Sequence, residues 1–398
     1  MMTRTALALA GAAALTLAAP ALAQDEGATL GIMLGFTGPL ESLSPAIAAG
    51  AELAVEEVNQ SGNFMGGATV TTVRGDDTCI DAGAATAAAE RLVTSDGVDG
   101  IMGAMCSGVT GAVLSNVALP NGVVMISPSA TSPALSTVED DGLFFRTAPS
   151  DSRQGEIIAD ILTEKGVSEA ALTFTNNDYG KGLSDSIAAA FEAAGGTITI
   201  NAPHEDGKGD YSAEVAALAA AGGEILIVAG YLDQGGRGII QASLDSGAFE
   251  TFFLPDGMVG EALVEAIGDP LDGSYGVLPG SDSEGAQVFT SLAEEAGNET
   301  GVYAPEAYDA AALMLLAMQK AGSTNPSEYK VAVSEVANAP GEEILPGELG
   351  RALEIIADGG DVDYVGATAV ELVEGGESAG SFREIEISDG SIETVQYR

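Results

Sequence analysis

The sequence predicts an α/β protein made of two doubly wound parallel-sheet lobes, joined by a hinge that the chain crosses several times. Three observations carry this. Apolar strand patterns alternate with helical ones at the spacing of βαβ units. The alternation breaks after Arg146 and starts again at Ser152. About 375 residues remain after an N-terminal leader, more than one hydrophobic core usually holds.

The elements follow in order. A strand is predicted over 28–35, ending in the turn Gly35-Phe36-Thr37-Gly38-Pro39. A helix over 45–59 has Pro45 near its start, with Asn59 and Gly62 at its stop. Next come a strand over 68–75, an Ala-rich helix over 82–94, a strand over 100–104, a helix over 109–118 and a strand over 123–126. Residues 144–149 read as a crossover. The second set has helices over 152–165, 182–194, 211–221 and 236–246, and strands over 170–175, 197–201, 225–228 and 251–254. Residues 273–281 read as a second crossing, followed by helices over 303–322 and 346–356. The tail from Val365 alternates around Gly375-Gly376, Ser378-Ala379-Gly380 and Asp389-Gly390, the pattern of hairpin strands. The expected division is 24–146 with 280–360 as the N-terminal lobe, and 147–279 with 361–398 as the C-terminal lobe.

The leader is Met1-Met2-Thr3-Arg4, an apolar run from Thr5 to Ala19, and Ala21-Leu22-Ala23. A basic start, a short apolar core and a small-x-small end describe a signal peptide over 1–23, with cleavage expected after Ala23. The run is too short and too Ala-rich for a membrane span. Gln24 rather than Cys follows the cut, so nothing supports a lipid anchor.

The formal charge of −45 makes nucleic acid an implausible partner, because phosphate binding needs a basic face. The acid is dispersed along the chain, which suits solubility in a saline medium where self-repulsion is screened. No Asp-x-Asp-x-Asp-Gly run points to calcium. With one His and two Cys, the chain offers no catalytic triad, and it has no Gly-x-Ser-x-Gly elbow. Gly180-Lys181 lacks the earlier Gly of a phosphate loop. An enzyme is therefore not expected, although dispersed acids leave a carboxylate-pair hydrolase open. Neither a metal nor a cofactor is expected. Two cysteines in an exported chain suggest one disulfide, free thiols being the alternative. A Cys79–Cys106 bridge would close a loop of roughly 27 residues, worth ~3–4 kcal/mol by loop entropy.

Ligands bind beyond the carboxyl ends of parallel strands. The loops there contain Ser107, Ser129 and Thr131, with the Ala130 backbone between them. Their hydroxyls and N–H groups suit a small carboxylate. The competing reading is ordinary caps and turns. In the second half, Tyr179 and Tyr231 follow strands and suit packing on a ligand, or else partly buried lobe surface. Asp256, in Pro255-Asp256-Gly257, suits an ammonium, or else a plain turn.

These residues, with Asp76-Asp77-Thr78-Cys79, Cys106-Ser107, Ile126-Ser127-Pro128-Ser129-Ala130-Thr131-Ser132-Pro133, Phe145-Arg146-Thr147, Asp178-Tyr179-Gly180-Lys181-Gly182 and Ala229-Gly230-Tyr231, recur in order. In them the chain resembles the periplasmic leucine/isoleucine/valine-binding proteins. These are amino-acid receptors of ABC importers with the type I periplasmic-binding-protein fold. The resemblance covers nearly the whole chain after the leader. It implies a monomer in the periplasm that captures a small amino acid between its lobes and passes it to an ABC permease in the inner membrane. Ser107, Ser129, Ala130 and Thr131 would bind the α-carboxylate, Asp256 the α-ammonium, and Tyr179 and Tyr231 the ligand from the second lobe. A disulfide between Cys79 and Cys106 is also implied. So is hinge closure, a motion known for periplasmic binding proteins as a class. Two departures bear on the side chain bound. Leu43 aligns where the family often has an aromatic residue, and Asp256 replaces the commoner, longer Glu. The family also includes receptors for amides, urea and aromatic acids, as well as ligand sensors.

Overall fold

The computed structural model describes residues 27–398; the expected leader over 1–23 lies outside the described residues. The first half runs β1 (Ala28–Leu34), α1 (Ser44–Ser61), β2 (Val70–Asp76), α2 (Ala82–Arg91), β3 (Gly100–Met102), α3 (Ser107–Val113), α4 (Leu119–Asn121), β4 (Met125–Ser127) and β5 (Phe144–Arg146). The second set runs α5 (Asp151–Glu164), β6 (Glu169–Thr175), α6 (Asp178–Ala193), β7 (Thr197–His204), α7 (Ser212–Ala221), β8 (Ile225–Ala229), α8 (Gly235–Ser246), β9 (Phe252–Leu254), α9 (Glu261–Ile267) and β10 (Tyr275–Pro279). The chain ends with α10 (Glu284–Glu295), α11 (Ala304–Ala321), α12 (Pro326–Ala337), β11 (Glu342–Ile344), α13 (Leu349–Ala357), β12 (Val362–Tyr364), β13 (Leu372–Val373), β14 (Glu377–Ser378), β15 (Phe382–Ser388) and β16 (Ser391–Tyr397).

Local chemistry sets the boundaries. Pro45 opens α1, and Gly62 closes it in the left-handed region at φ 66°. Asp81, Ser150, Asn177, Ser283 and Asn325 each accept first-turn N–H groups of the helix that follows. The central strand Ile225-Leu226-Ile227-Val228-Ala229 is buried throughout, as expected of a parallel strand covered on both faces.

The two sheets repeat one topology. The first has the order β2-β1-β3-β4-β5-β14-β13 and the second β7-β6-β8-β9-β10-β15-β16. Strands β1 to β5 are parallel, and so are β6 to β10. Helices cover both sheets, and the two-lobe α/β fold is the one read from the sequence. In this strand order the crevice lies at the carboxyl ends, where the order reverses beside the first strand.

Several expectations are corrected. The segments expected as crossings begin as strands: β5 and β10 extend their own sheets, and each crossing follows immediately. The tail from 361 does not go wholly to the second lobe. β14 pairs with β5, Glu377 opposite Arg146, whereas β15 pairs with β10. Each hairpin fills an open parallel edge, and alternation alone does not say which edge. Helices α9, α10 and α12, and the small β11–β12 pair, were not expected.

The crossings run side by side. Gly280 N–H donates to Ser381 O at 3.0 Å, and Ser381 Oγ donates to Gly280 O at 2.8 Å. A Cβ on Gly380 would lie 2.7 Å from Pro149. In the first lobe α11 is buried almost entirely and packs against α1 and α12. The closest approach is at Gly50, where a Cβ would lie 2.2 Å from Ala304 O. No flexible side chain is there to yield. Gly50→Val is therefore expected to lose about 1–3 kcal/mol by overpacking, read from the urea midpoint. Gly111→Ala, which meets nothing within 4 Å, is expected to hold or gain up to ~1 kcal/mol. Equal midpoints for both variants would refute the close-packing account.

Candidate functional site

The first lobe's half of the site is a set of loops held together at their roots. Cys79 and Cys106 form a disulfide, with Cα atoms 5.1 Å apart. Buried Asp77 accepts the N–H of Cys79 and of Met105, each at 2.8 Å. Burial pushes its pKa up to about 6. Asp76 Oδ2 accepts the Thr37 hydroxyl at 2.7 Å, and its Oδ1 accepts Thr78 N–H at 2.9 Å. The Asp-Asp-Thr-Cys motif thus ties the loops after β1, β2 and β3 into one frame.

The loop after β4 rests on that frame and on Arg146. The Arg146 guanidinium is buried; Nη1 donates to Ala130 O at 3.1 Å and to Ser132 O at 2.9 Å. Nη2 donates to Ser136 Oγ at 2.7 Å and pairs with Glu377. Ser132 N–H donates to Ser107 Oγ at 3.1 Å, which leaves the Ser107 hydroxyl its own proton to give. Ser127 Oγ accepts Ala130 N–H at 3.0 Å.

The second lobe brings Tyr179, at the start of α6, Tyr231, after β8, and Asp256, after β9. The two tyrosine rings stack with centroids 5.2 Å apart. Tyr179 OH donates to Asp256 Oδ1 at 2.6 Å. Tyr303, just before α11 on the opposite side of the cleft, donates to Asp256 Oδ2. Burial pushes the pKa of Asp256 up, opposed by these two hydrogen bonds. Burial also holds the three phenols well above their usual range, so all remain donors. The lobes meet through Asp233 N–H on Pro39 O at 3.1 Å, Ser42 N–H on Asp233 Oδ2 at 2.9 Å and Ser132 Oγ on Asp178 O at 3.2 Å. Gly182 is needed for this approach, since a Cβ there would lie 2.8 Å from Pro133.

Ser107, Ser129, Tyr179, Tyr231 and Asp256 line one pocket with Leu40, Met105, Cys106, Gly257 and Tyr303. Its free space is at most about 250 Å3, less than pockets for drug-sized ligands offer. Thr131 is fully buried, does not line this pocket, and has its side chain beside Asp151. Ala130 is buried and turned toward Arg146 through its carbonyl.

Two residues stand differently from expectation. Ser129 Oγ donates to Met105 O at 2.8 Å, so its hydroxyl proton braces the loop and is not available to a carboxylate. Leu43 lies outside the small pocket and packs toward Gly260, whereas Leu40 lines it. The two leucines are the ends of the turn before α1, closed by Leu43 N–H on Leu40 O at 3.1 Å, and the turn's path rather than sequence spacing sets which one reaches the pocket. Sequence reasoning missed Tyr303. Its φ of 65° is unusual for an aromatic residue, but sequence gives no warning of it. It also missed Asp151 and Gln154, at the start of α5. Both are fully buried, Asp151 beside the Thr131 hydroxyl and Gln154 beside the Asp256 carboxylate.

Two lobes, three adjacent crossings and a small polar pocket between the strand ends define a ligand-binding protein of the hinge type. Residues 27–350 match the periplasmic binding protein family, and the chain belongs to it; its members are substrate-binding proteins of ABC-transporter type. The chain is 28% identical over 384 residues to the chemotactic signal transduction system substrate-binding protein BasB of Halobacterium salinarum, covering 92% of this chain and 88% of that protein. It is 28% identical over 351 residues to a leucine-, isoleucine-, valine-, threonine- and alanine-binding protein of Pseudomonas aeruginosa, covering 87% and 89%. The solved structure of the branched-chain amino acid transporter substrate-binding protein LivJ of Streptococcus pneumoniae, in complex with isoleucine, superposes with a TM-score of 0.76 at 23% identity, covering 94% and 99%. At that identity the likeness speaks for the fold. The resemblance read from the motifs agrees with the family.

Glu306, on the first turn of α11 beside the hinge, links stability to pH. Burial pushes its pKa up to about 8, and its backbone carbonyl accepts the Thr147 hydroxyl at 2.8 Å. The folded pKa exceeds the unfolded one, so between them the folded state holds the extra proton and stability falls as pH rises. His204, lowered to about 4 by burial, acts in the opposite sense, but only below its ordinary value of 6.5. From pH 6.5 to 8 the unfolding free energy should therefore fall, with Glu306 contributing roughly 1–2 kcal/mol. Glu306→Gln should flatten that slope in urea titrations. An unchanged slope would exclude Glu306 as the source.

Proposed function

We propose that this chain is the extracytoplasmic receptor of an ABC importer, and that it captures a small amino acid of the branched-chain type in the interlobe cleft by hinge closure. The observation that carries this is the division of polar groups between the lobes. The first lobe lines the pocket with the hydroxyl of Ser107, and Thr131 lies buried nearby, a pair suited to a carboxylate. The second presents Asp256, suited to an ammonium. Apolar Leu40 and Met105 and the stacked Tyr179–Tyr231 pair fill the space between, as a small aliphatic side chain requires. Ligand docks first on the lobe bearing Ser107 and Thr131. Contacts from Tyr179, Tyr231 and Asp256 exist only with the lobes together, so the ligand biases closure by their differential energy. The closed monomer then docks on a permease. The similarity to the P. aeruginosa amino-acid-binding protein supports the ligand class. The similarity to the chemotactic BasB favours a second reading, in which the same cleft and ligand serve a signalling partner. Receptors for an amide, urea or aromatic carboxylate remain the alternative ligand classes of the fold.

Calorimetric titration of residues 24–398, stripped of ligand by unfolding and refolding, tests this with branched-chain, polar and aromatic amino acids, amides, urea and aromatic carboxylates. One-to-one binding of a branched-chain amino acid is expected. Asp256→Ala should weaken it at least ~100-fold, since truncating one partner of a buried charged pair costs 2–5 kcal/mol. Thr131→Ala should weaken it about tenfold, the cost of one hydrogen bond to a charged group. Binding only of acids that lack an amino group would remove Asp256 from its role. No binding across the whole panel would refute the receptor reading.

A further inference from the structure

One cation stands apart. Among the described residues, every Lys and Arg side chain except Arg383 has a carboxylate, a carbonyl or an aromatic ring as partner. In a chain with a formal charge of −45, a cation left without an ion pair is unexpected. Arg383 is half-buried on β15, directly opposite Leu278 of β10 and Tyr397 of β16. Side chains at opposed positions share one face of a sheet. These three line one cavity of about 860 Å3, between the lobes and beside the crossing at Gly280. The first lobe closes the cavity with Phe289 of α10, the loop before α11 and Glu306. Tyr303 is the one residue that this cavity shares with the small ligand pocket.

Glu306 lines the cavity from the lobe opposite Arg383 and is 2% exposed. Its carboxyl group is bonded to its own backbone N–H, and it forms no ion pair with Arg383. Burial pushes its pKa up to about 8, Asp309 one turn along α11 adds to the rise, and Arg383 across the cavity opposes it. At pH 7 Glu306 is therefore mostly a neutral acid. It leaves the charge of Arg383 uncancelled and can itself donate a hydrogen bond. The other charged groups at the cavity are Glu261 and Glu265 of α9 and Glu299 before α11, all exposed at its rim. The interior thus favours an anion, while the rim repels a second negative charge. The planar fork of an arginine matches a carboxylate. Leu278, Val259 and Phe289 provide an apolar wall for a short aliphatic chain.

We propose that this interlobe cavity is a second binding site, separate from the amino-acid pocket, for a small aliphatic monocarboxylate held by the Arg383 guanidinium and the Glu306 carboxyl group. Arg383 belongs to the second lobe and Glu306 to the first, so the bound anion bridges the lobes beside the hinge. The site does not depend on the amino-acid reading.

Calorimetric titration of residues 24–398 with butyrate and succinate tests this; succinate has butyrate's chain length and a second carboxylate. At pH 7 the wild type should bind butyrate, and succinate more weakly. From pH 7 to 9 butyrate stays ionised while Glu306 loses its proton beside it, so wild-type affinity for butyrate should fall about tenfold. Glu306→Gln should keep the affinity at pH 7 within about threefold and abolish that fall, which a merely structural role would not do. Arg383→Gln should weaken butyrate at least ~10-fold, and Ser107→Ala, at the ligand pocket, should leave it within about twofold. No butyrate binding by the wild type, tighter binding of succinate, or an affinity unchanged from pH 7 to 9 overturns the proposal whether or not any variant folds. So does butyrate binding that survives Arg383→Gln. Loss of binding in folded Ser107→Ala would place the anion in the ligand pocket and overturn it too. The amino-acid reading stands in each case.

Discussion

The site depends on one buried guanidinium. Arg146 ends β5, the last parallel strand of the first sheet, and the first crossing begins at the next residue. Its donors hold the carbonyls of Ala130 and Ser132, and its charge is met by Glu377 on the tail strand beside it. The ligand loop, the hinge and the returning tail are thereby fixed to one side chain. An uncompensated buried charge is strongly destabilising, so this arrangement tolerates the loss of neither partner. Lysine would not replace it, because a single ammonium cannot reach two carbonyls, a hydroxyl and a carboxylate in one plane.

Around that anchor the cleft is built from acids and phenols. A chain with a formal charge of −45 has no cation to spare for its pocket. Arg146 points away into the loop it braces. In the proposed pose, neutral hydroxyls and backbone donors face the carboxylate of the ligand, and buried Asp256 faces its amino group. The acids at this pocket are buried rather than exposed. That is a different electrostatic design from an open acidic surface, and it is compatible with a protein whose exterior repels itself in the absence of salt.

Family membership fixes the class of chemistry, while the side chain bound is decided by a few lining groups. Leu40 and Met105 set the apolar wall, and Asp256 reaches one methylene less far than the family's usual Glu. Tyr303 and Tyr179 clamp that shorter carboxylate from opposite lobes. One side chain of the second lobe is thus held from both lobes.

Much of the fold was legible in the sequence, because βαβ alternation, helix caps and glycine stops are local signals that survive in one dimension. The order of motifs located the cleft at the strand ends, and the acidic composition spoke against nucleic acid as a partner. Strand patterns could not assign the tail hairpins to a sheet, since an alternating strand fits any open edge of matching length. Nor could they show that Ser129 spends its proton on Met105 or that Leu40, not Leu43, faces the pocket. Tyr303, Asp151 and Gln154 were invisible for the same reason. They reach the cleft from an element start more than forty residues along the chain from Asp256 in one case and about a hundred in the other. The sequence by itself determined the two-lobe α/β fold and the family, because both rest on local alternation and on motifs in fixed order. Only the tertiary structure decided that Tyr179 and Tyr303 close on Asp256 from opposite lobes, because that depends on how distant segments pack against one another.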